Sequence, residues 1–203
     1  ICSNIFIFLF LLLMEIIQDI KSNLDYFFNS LNLDEIKNIK NIIQKHNNNI
    51  IYITGIGKCE TLALHFSNLL KSISYQSFYI SVQNSIHGDA GSIKENDLLI
   101  VFSKSGNSNE LIQFLNIQKI KNINSISITC SKTGKINSLT KHNLVLPLIN
   151  EIQLGINNIP NNSCTLMMLI INILTKMLEN IEIKEYKLNH SGGSIGKDLL
   201  TKK

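Results

Sequence analysis

Apolar residues recur along this chain at two different spacings, and the switch between them divides it into two stretches. From Met14 onward, Ile16, Ile17, Ile20, Leu24, Phe27, Phe28 and Leu31 fall at the three- and four-residue intervals of a single helix face. A second helix follows, with Asp34 as its cap and Ile36, Ile39, Ile42 and Ile43 as its apolar stripe. Beyond His46 the helical spacing gives way to short apolar runs. Ile50–Thr54, Phe78–Ser81, Leu98–Phe102, Ser125–Thr129 and Leu144–Leu148 read as strands. Helices are expected between them at Thr61–Ser72 and Glu110–Lys121, with only a weak helix between the last two strands. Strands that alternate with helices imply parallel pairing, and nearly continuous apolar strands imply burial on both faces. The expected fold class is therefore α/β: a three-layer, doubly wound sandwich around a five-stranded parallel sheet, preceded by N-terminal helices at 14–46. With no internal repeat and no linker, residues 14–203 are read as a single domain.

One further helix, Cys164–Leu178, is apolar nearly all round. A helix of that kind cannot face water on any side, so it is either wrapped by its own domain or shared with another subunit. At the other end of the chain, Ile5–Met14 is a continuous apolar run. It is too short to span a bilayer and lacks the basic flank and small-residue cleavage site of a signal peptide. Because the chain does not begin with Met, residues 1–13 are expected to lie upstream of the true start, and no membrane partner is expected.

The 203 residues suffice for a substantial core, and 44% hydrophobic with 17% charged residues is a globular composition. The net charge of +4 is spread singly along the chain; only Lys202 and Lys203 are adjacent. There is no basic stripe interleaved with aromatics, so nucleic acid is not an expected partner, whereas a small anion is compatible. Cys2, Cys59, Cys130 and Cys164 share no ligand spacing. That speaks against a metal site or a disulfide framework and for a reducing, cytoplasmic compartment.

Chemistry concentrates after the strands. Ser103-Lys-Ser-Gly-Asn-Ser-Asn-Glu110 follows the run Leu98–Phe102. A loop of small hydroxyl residues opening a helix directs hydroxyls and free backbone N–H groups at one spot, where an anion, most often phosphate, can sit. Ser and Asn also favour turns and caps for purely structural reasons. Gly55-Ile-Gly57-Lys58 follows the first strand. It is not a P-loop, since Cys59 stands where Ser or Thr is needed, nor a dinucleotide fingerprint, since Glu60 replaces the third Gly. What remains is a tight turn that places a lysine at the C-terminal sheet edge, either as a ligand-binding cation or as a solvated turn residue. His87-Gly-Asp89, Glu151 ahead of Pro160, and Asn189-His-Ser-Gly-Gly-Ser-Ile-Gly196 complete the candidate set.

In this order and spacing, these motifs resemble the arabinose-5-phosphate isomerases, which are sugar isomerase (SIS) domain proteins. The resemblance runs from about Ile50 to Leu200. The serine loop marks SIS domains in general, and the C-terminal His-Gly-Gly turn is more specific to this branch. The resemblance implies interconversion of D-arabinose 5-phosphate and D-ribulose 5-phosphate without a cofactor, as the entry step toward the outer-membrane sugar Kdo. It implies catalytic positions at Lys58, Glu110, Glu151 and His190. Substrate and phosphate contacts would fall on Gly57, Cys59, His87, Ser103, Ser105, Gly106, Ser108, Ser163 and Thr165. It also implies a homotetramer in which the matching His comes from a neighbouring subunit. Two departures stand out: Cys59-Glu60 replaces the usual Ser-Gly, and Ser191 replaces the usual Pro. A thiol donates more weakly than a hydroxyl, so a reduced phosphate affinity is expected. Members often carry two CBS domains after the sugar isomerase domain; the sequence ends at Lys203, and a sugar isomerase domain alone is expected. The alternatives are a phosphosugar-binding SIS protein without catalysis, or another phosphosugar isomerase such as a phosphoheptose isomerase.

Overall fold

A computed structural model describes residues 2–117, 120, 122–153 and 159–201. Five strands form one sheet: β1 (Ile51–Gly55), β2 (Ser77–Tyr79), β3 (Leu98–Ser103), β4 (Asn124–Thr129) and β5 (His142–Val145). The spatial order is β2-β1-β3-β4-β5 and every pair is parallel. This is the α/β sandwich expected from the alternation of strands and helices.

The helices are α1 (Cys2–Ser30), α2 (Leu33–Lys45), α3 (Lys58–Ser72), α4 (Val82–Ile86), α5 (Asn109–Leu115), α6 (Asn162–Leu178), α7 (Ile183–Asn189) and α8 (Ser194–Thr201). The sheet separates two cores because strand side chains alternate between its faces. Ile51, Ile53, Leu98, Ile100, Phe102, Ile126 and Ile128 meet α2, α3 and α6 on one face. Tyr52, Leu99 and Val101 meet Val82 of α4 and Leu111 and Phe114 of α5 on the other.

Helix α6 settles one open alternative. Leu166, Met167, Ile170, Ile171, Leu174 and Leu178 are buried within the domain, against α1, α2 and α3. Burial of each such side chain contributes about 1.5–3 kcal/mol, so its own domain wraps this face. Met168, Leu169 and Ile173 on its flank are only partly buried.

Several boundaries differ from the sequence expectation. The cap of α2 is Asn32, not Asp34: its side-chain oxygen accepts from the N–H groups of Asp34 (3.1 Å) and Glu35 (3.2 Å). Its amide also donates to Glu35 Oε1 at 2.9 Å, which ties the cap to the side chain three residues on. Helix α5 is shorter than expected, because the Asn116 amide turns back to the carbonyl of Ile112 (2.8 Å). The last strand begins two residues and ends three residues earlier than expected. Leu146 N–H still donates to Thr129 O (2.7 Å), but Pro147 has no N–H with which to continue.

Helix α1 passes through residues 13 and 14 without a break. Ile7, Leu9, Phe10, Leu11 and Leu13 along it are more than half exposed. Among the described residues, no helix is long and apolar enough to cross a membrane.

Candidate active site

The sheet order changes direction at β1 and β3, and their C-terminal ends lie side by side, with Gly55 in register with Phe102. Open α/β sheets bind ligands at such a switch point. The two loops that leave there are Gly55–Lys58 and Ser103–Glu110.

Two glycines shape the first loop. A Cβ on Gly55 would lie 2.7 Å from the backbone of Cys59, so only glycine lets α3 start this tightly against its strand. Gly57 sits at φ +61°, where side chains are strained, and immediately precedes Lys58, the exposed first residue of α3. The second loop is braced from behind. Ser103 Oγ accepts from Gly106 N–H (3.1 Å), Gly106 O accepts from Ile136 N–H (3.0 Å), and Lys104 O accepts from Cys130 N–H (2.9 Å). Gly106, at φ +67°, approaches Gly134 so closely that a Cβ would come within 2.8 Å of its Cα. The loop is therefore a preorganised wall. Ser105 Oγ accepts from Asn107 N–H (3.2 Å), which leaves the Ser105 hydroxyl proton available to a ligand. Ser108 occupies the N-cap position of α5 without making a side-chain cap bond.

Between these walls and the start of α6 lies a cavity of about 240 Å³. It is lined by Ile56, Gly57, Lys58 and Cys59 from the first loop; Phe102, Ser103, Lys104, Ser105, Ser108 and Leu111 from the second; and Pro160, Ser163 and Cys164. Seven candidates from the sequence, Gly57, Lys58, Cys59, Ser103, Ser105, Ser108 and Ser163, thus meet in one place. Gly106 supports the wall from behind.

Glu151 adjoins the cavity through its bonds to Ser163 and Lys104 and is only 3% exposed. Its Oε2 accepts from the N–H groups of Asn161 (3.0 Å) and Ser163 (3.1 Å). Its Oε1 accepts from the Ser163 hydroxyl and forms an ion pair with Lys104 Nζ at 3.0 Å. Burial alone would raise its pKa, but the Ser163 hydroxyl and N–H, Lys104 and Asn161 N–H together hold it below the ordinary carboxylate range. A group whose pKa is depressed on folding adds stability above its unfolded value, about 4.3, and that stability is lost as pH falls through the folded value. Glu151→Gln should therefore lose less melting temperature than the parent chain on acidification from about pH 6 to about pH 3. An equal or steeper loss, followed by circular dichroism, would remove Glu151 from this linkage.

The remaining candidates lie elsewhere. Glu110 is exposed on the first turn of α5, on the same sheet edge but outside the cavity lining. His87 is exposed at the C-terminus of α4. Thr165 faces solvent, with its hydroxyl donated to Asn161 O (3.1 Å). His190 ends α7, its Nδ1 2.9 Å from Tyr186 O and its ring 4.3 Å from the Tyr186 ring. The neighbouring Asn189 amide donates to Ser72 O (3.2 Å) and Ser74 Oγ (2.9 Å), at the far end of α3 from Lys58. With α3 about 21 Å long, His190 lies near the opposite edge of the sheet from the Lys58 of its own chain.

Sequence reasoning did not single out Lys104. It is one of the cavity's two lysines, and its only sequence signal was its place between Ser103 and Ser105. Nor did spacing show that Cys59 and Cys164, distant in sequence, share the cavity. Burial pushes the Cys59 thiol up to about 11 and that of Cys130 up to about 12, so both remain protonated at neutral pH and are poor nucleophiles.

Residues 44–177 match the SIS domain family. An uncharacterized protein of Chlamydia pneumoniae is 27% identical over 189 residues, covering 90% of this chain and 57% of that protein. The arabinose 5-phosphate isomerase KpsF of Escherichia coli is 29% identical over 178 residues, covering 85% of this chain and 55% of KpsF. The chain thus spans little more than half the length of these two relatives. Among solved structures, a protein of Escherichia coli CFT073 in complex with arabinose 5-phosphate superposes with a TM-score of 0.80 at 20% identity, covering 90% of this chain and 97% of that one. With the family match extending over most of its length and the same parallel sheet beneath its serine loop, the chain belongs to the SIS domain family.

Proposed function

We propose that this protein is a phosphosugar isomerase that interconverts D-arabinose 5-phosphate and D-ribulose 5-phosphate, at the entry to Kdo synthesis. The observation that carries this reading is the convergence of the serine loop with two lysines at the β1/β3 switch point, within a chain related to KpsF. The Ser105 and Ser108 hydroxyls hold the phosphate, which supplies binding energy remote from the reacting carbons. Lys58 offsets the charge of the enediolate that forms as a proton moves between C1 and C2. Glu110 and a histidine supply general acid and base. Glu151, already saturated with donors, acts as a fixed negative charge.

The position of His190 supports an assembled site. Because it lies far from the Lys58 of its own chain, it completes the site only from a neighbouring copy. The exposed Ile17 and Phe28 of α1 and the half-buried flank of α6 offer surface for a homo-oligomer, which we take to be a tetramer. The free thiols suit a reducing, cytoplasmic setting. The same remoteness of His190 within one chain is the observation that favours the rival, a phosphosugar-binding protein without catalysis.

Turnover decides between them. The purified protein should convert arabinose 5-phosphate and leave free arabinose untouched. Ser105→Ala should raise KM more than it lowers kcat, since the phosphate is held alike in ground and transition states. Binding of arabinose 5-phosphate without turnover would establish the rival, and equal turnover of the free sugar would remove the phosphate from the argument.

A further inference from the structure

We propose that Lys104 is a substrate-binding residue whose ammonium takes the phosphate of the sugar, and that Glu151 positions Lys104 rather than transferring a proton. This rests on the phosphosugar reading of the cavity. Lys104 lies in the serine loop between Ser103 and Ser105 and lines the same cavity as their hydroxyls. Its position is fixed at both ends. The backbone carbonyl accepts from Cys130 N–H at 2.9 Å, and Nζ lies 3.0 Å from Glu151 Oε1. An ammonium has three N–H donors and Glu151 engages one of them. With its side chain 37% exposed, Lys104 can turn the others toward a ligand.

Glu151 is suited to this task and poorly suited to proton transfer. A carboxylate has about four lone-pair positions, and four donors occupy them: Asn161 N–H, Ser163 N–H, the Ser163 hydroxyl and Lys104. Taking a proton would require giving up one of these bonds in a buried place, where an unmade bond is costly. The depressed pKa of the group agrees. Without Lys104, the buried negative charge would also repel a phosphate from the serine loop. The pair therefore converts a site adjoined by an anion into one that presents a cation. Lys58, which lines the same cavity from the start of α3, is left for the reacting end of the sugar.

Calorimetric titration with inorganic phosphate, alongside steady-state kinetics with arabinose 5-phosphate, tests the assignment. Charge-assisted hydrogen bonds are roughly twice as strong as neutral ones. Lys104→Met should weaken phosphate binding about tenfold or more and raise KM by a similar factor, lowering kcat far less. Lys104→Arg should recover part of both. Glu151→Gln should shift phosphate affinity and KM in the same direction and leave both limbs of the kcat pH profile in place. The double variant should be no worse than Lys104→Met alone, because the two residues act as one unit. Undiminished phosphate affinity in Lys104→Met would overturn the binding role. Normal phosphate affinity in Glu151→Gln, with kcat collapsed and the acidic limb erased, would overturn the positioning role and make Glu151 the base. The Lys104 variants decide the binding role whether or not Glu151→Gln folds. A chain that turns over no arabinose 5-phosphate, yet loses phosphate binding in Lys104→Met, would refute the proposed reaction and leave the Lys104 assignment standing.

Discussion

Glu110→Gln is expected to lower kcat by about 10²-fold or more, with melting temperature and phosphate affinity held near those of the parent chain. The substitution keeps the shape of the side chain and removes its ionisable group. Glu110 is exposed on the first turn of α5, and no hydrogen bond or ion pair of its side chain to another described residue is seen. Structural cost should therefore be small, since surface substitutions of this kind usually fall within about 0.5 kcal/mol. The contrast with Glu151 is direct: one carboxylate is exposed on its helix, and the other is locked among four donors. A Glu110→Gln enzyme with near-normal kcat would reduce Glu110 to compensation of the helix dipole.

Mixing two inactive proteins should restore activity. His190→Ala and Lys58→Ala each lack one component of the site, but each retains the component that the other has lost. If His190 reaches the site of a neighbouring subunit, random exchange in a symmetric oligomer leaves about a quarter of the sites with both residues intact. Recovery of roughly that fraction after confirmed exchange, by brief partial denaturation and refolding of the mixture, is the expected result. The geometry behind it is the hydrogen bonding of Asn189 to Ser72 and Ser74, which ties the His190 turn to the wrong end of α3 for the same chain's Lys58. No recovery despite confirmed exchange, or a fully active monomer, would place His190 within its own chain or outside catalysis.

The elements that the sequence made legible are those with strong local signals. β1, β3 and β4 were placed within one residue at each end, because strands buried on both faces read as continuous apolar runs. Helices α7 and α8 are not among the elements expected from the sequence pattern. Helix α7 has no fully buried residue, so it carries no amphipathic stripe to detect. The end of α5 and the register of β5 depended on a single asparagine amide and a single proline, each decisive only once its neighbours were in place. The serine loop and the Gly-Ile-Gly-Lys turn were visible because each combines a strand end with residues of distinctive chemistry.

From the sequence alone came the parallel α/β alternation, the sheet edge on which the serine loop and Lys58 both emerge, and the family resemblance. All of these depend on residues close to one another along the chain, where periodicity and turn chemistry act. The partners of the charges were decided only by the tertiary structure. It brought Lys104 to Glu151, Cys59 to Cys164, and His190 to the foot of α3. A carboxylate becomes a fixed anion or a proton carrier according to the donors that surround it. Those surrounding Glu151 come from two segments, one of which, the serine loop, lies far from it in sequence. Which segments meet is settled by sheet order and helix packing, and no local pattern encodes it.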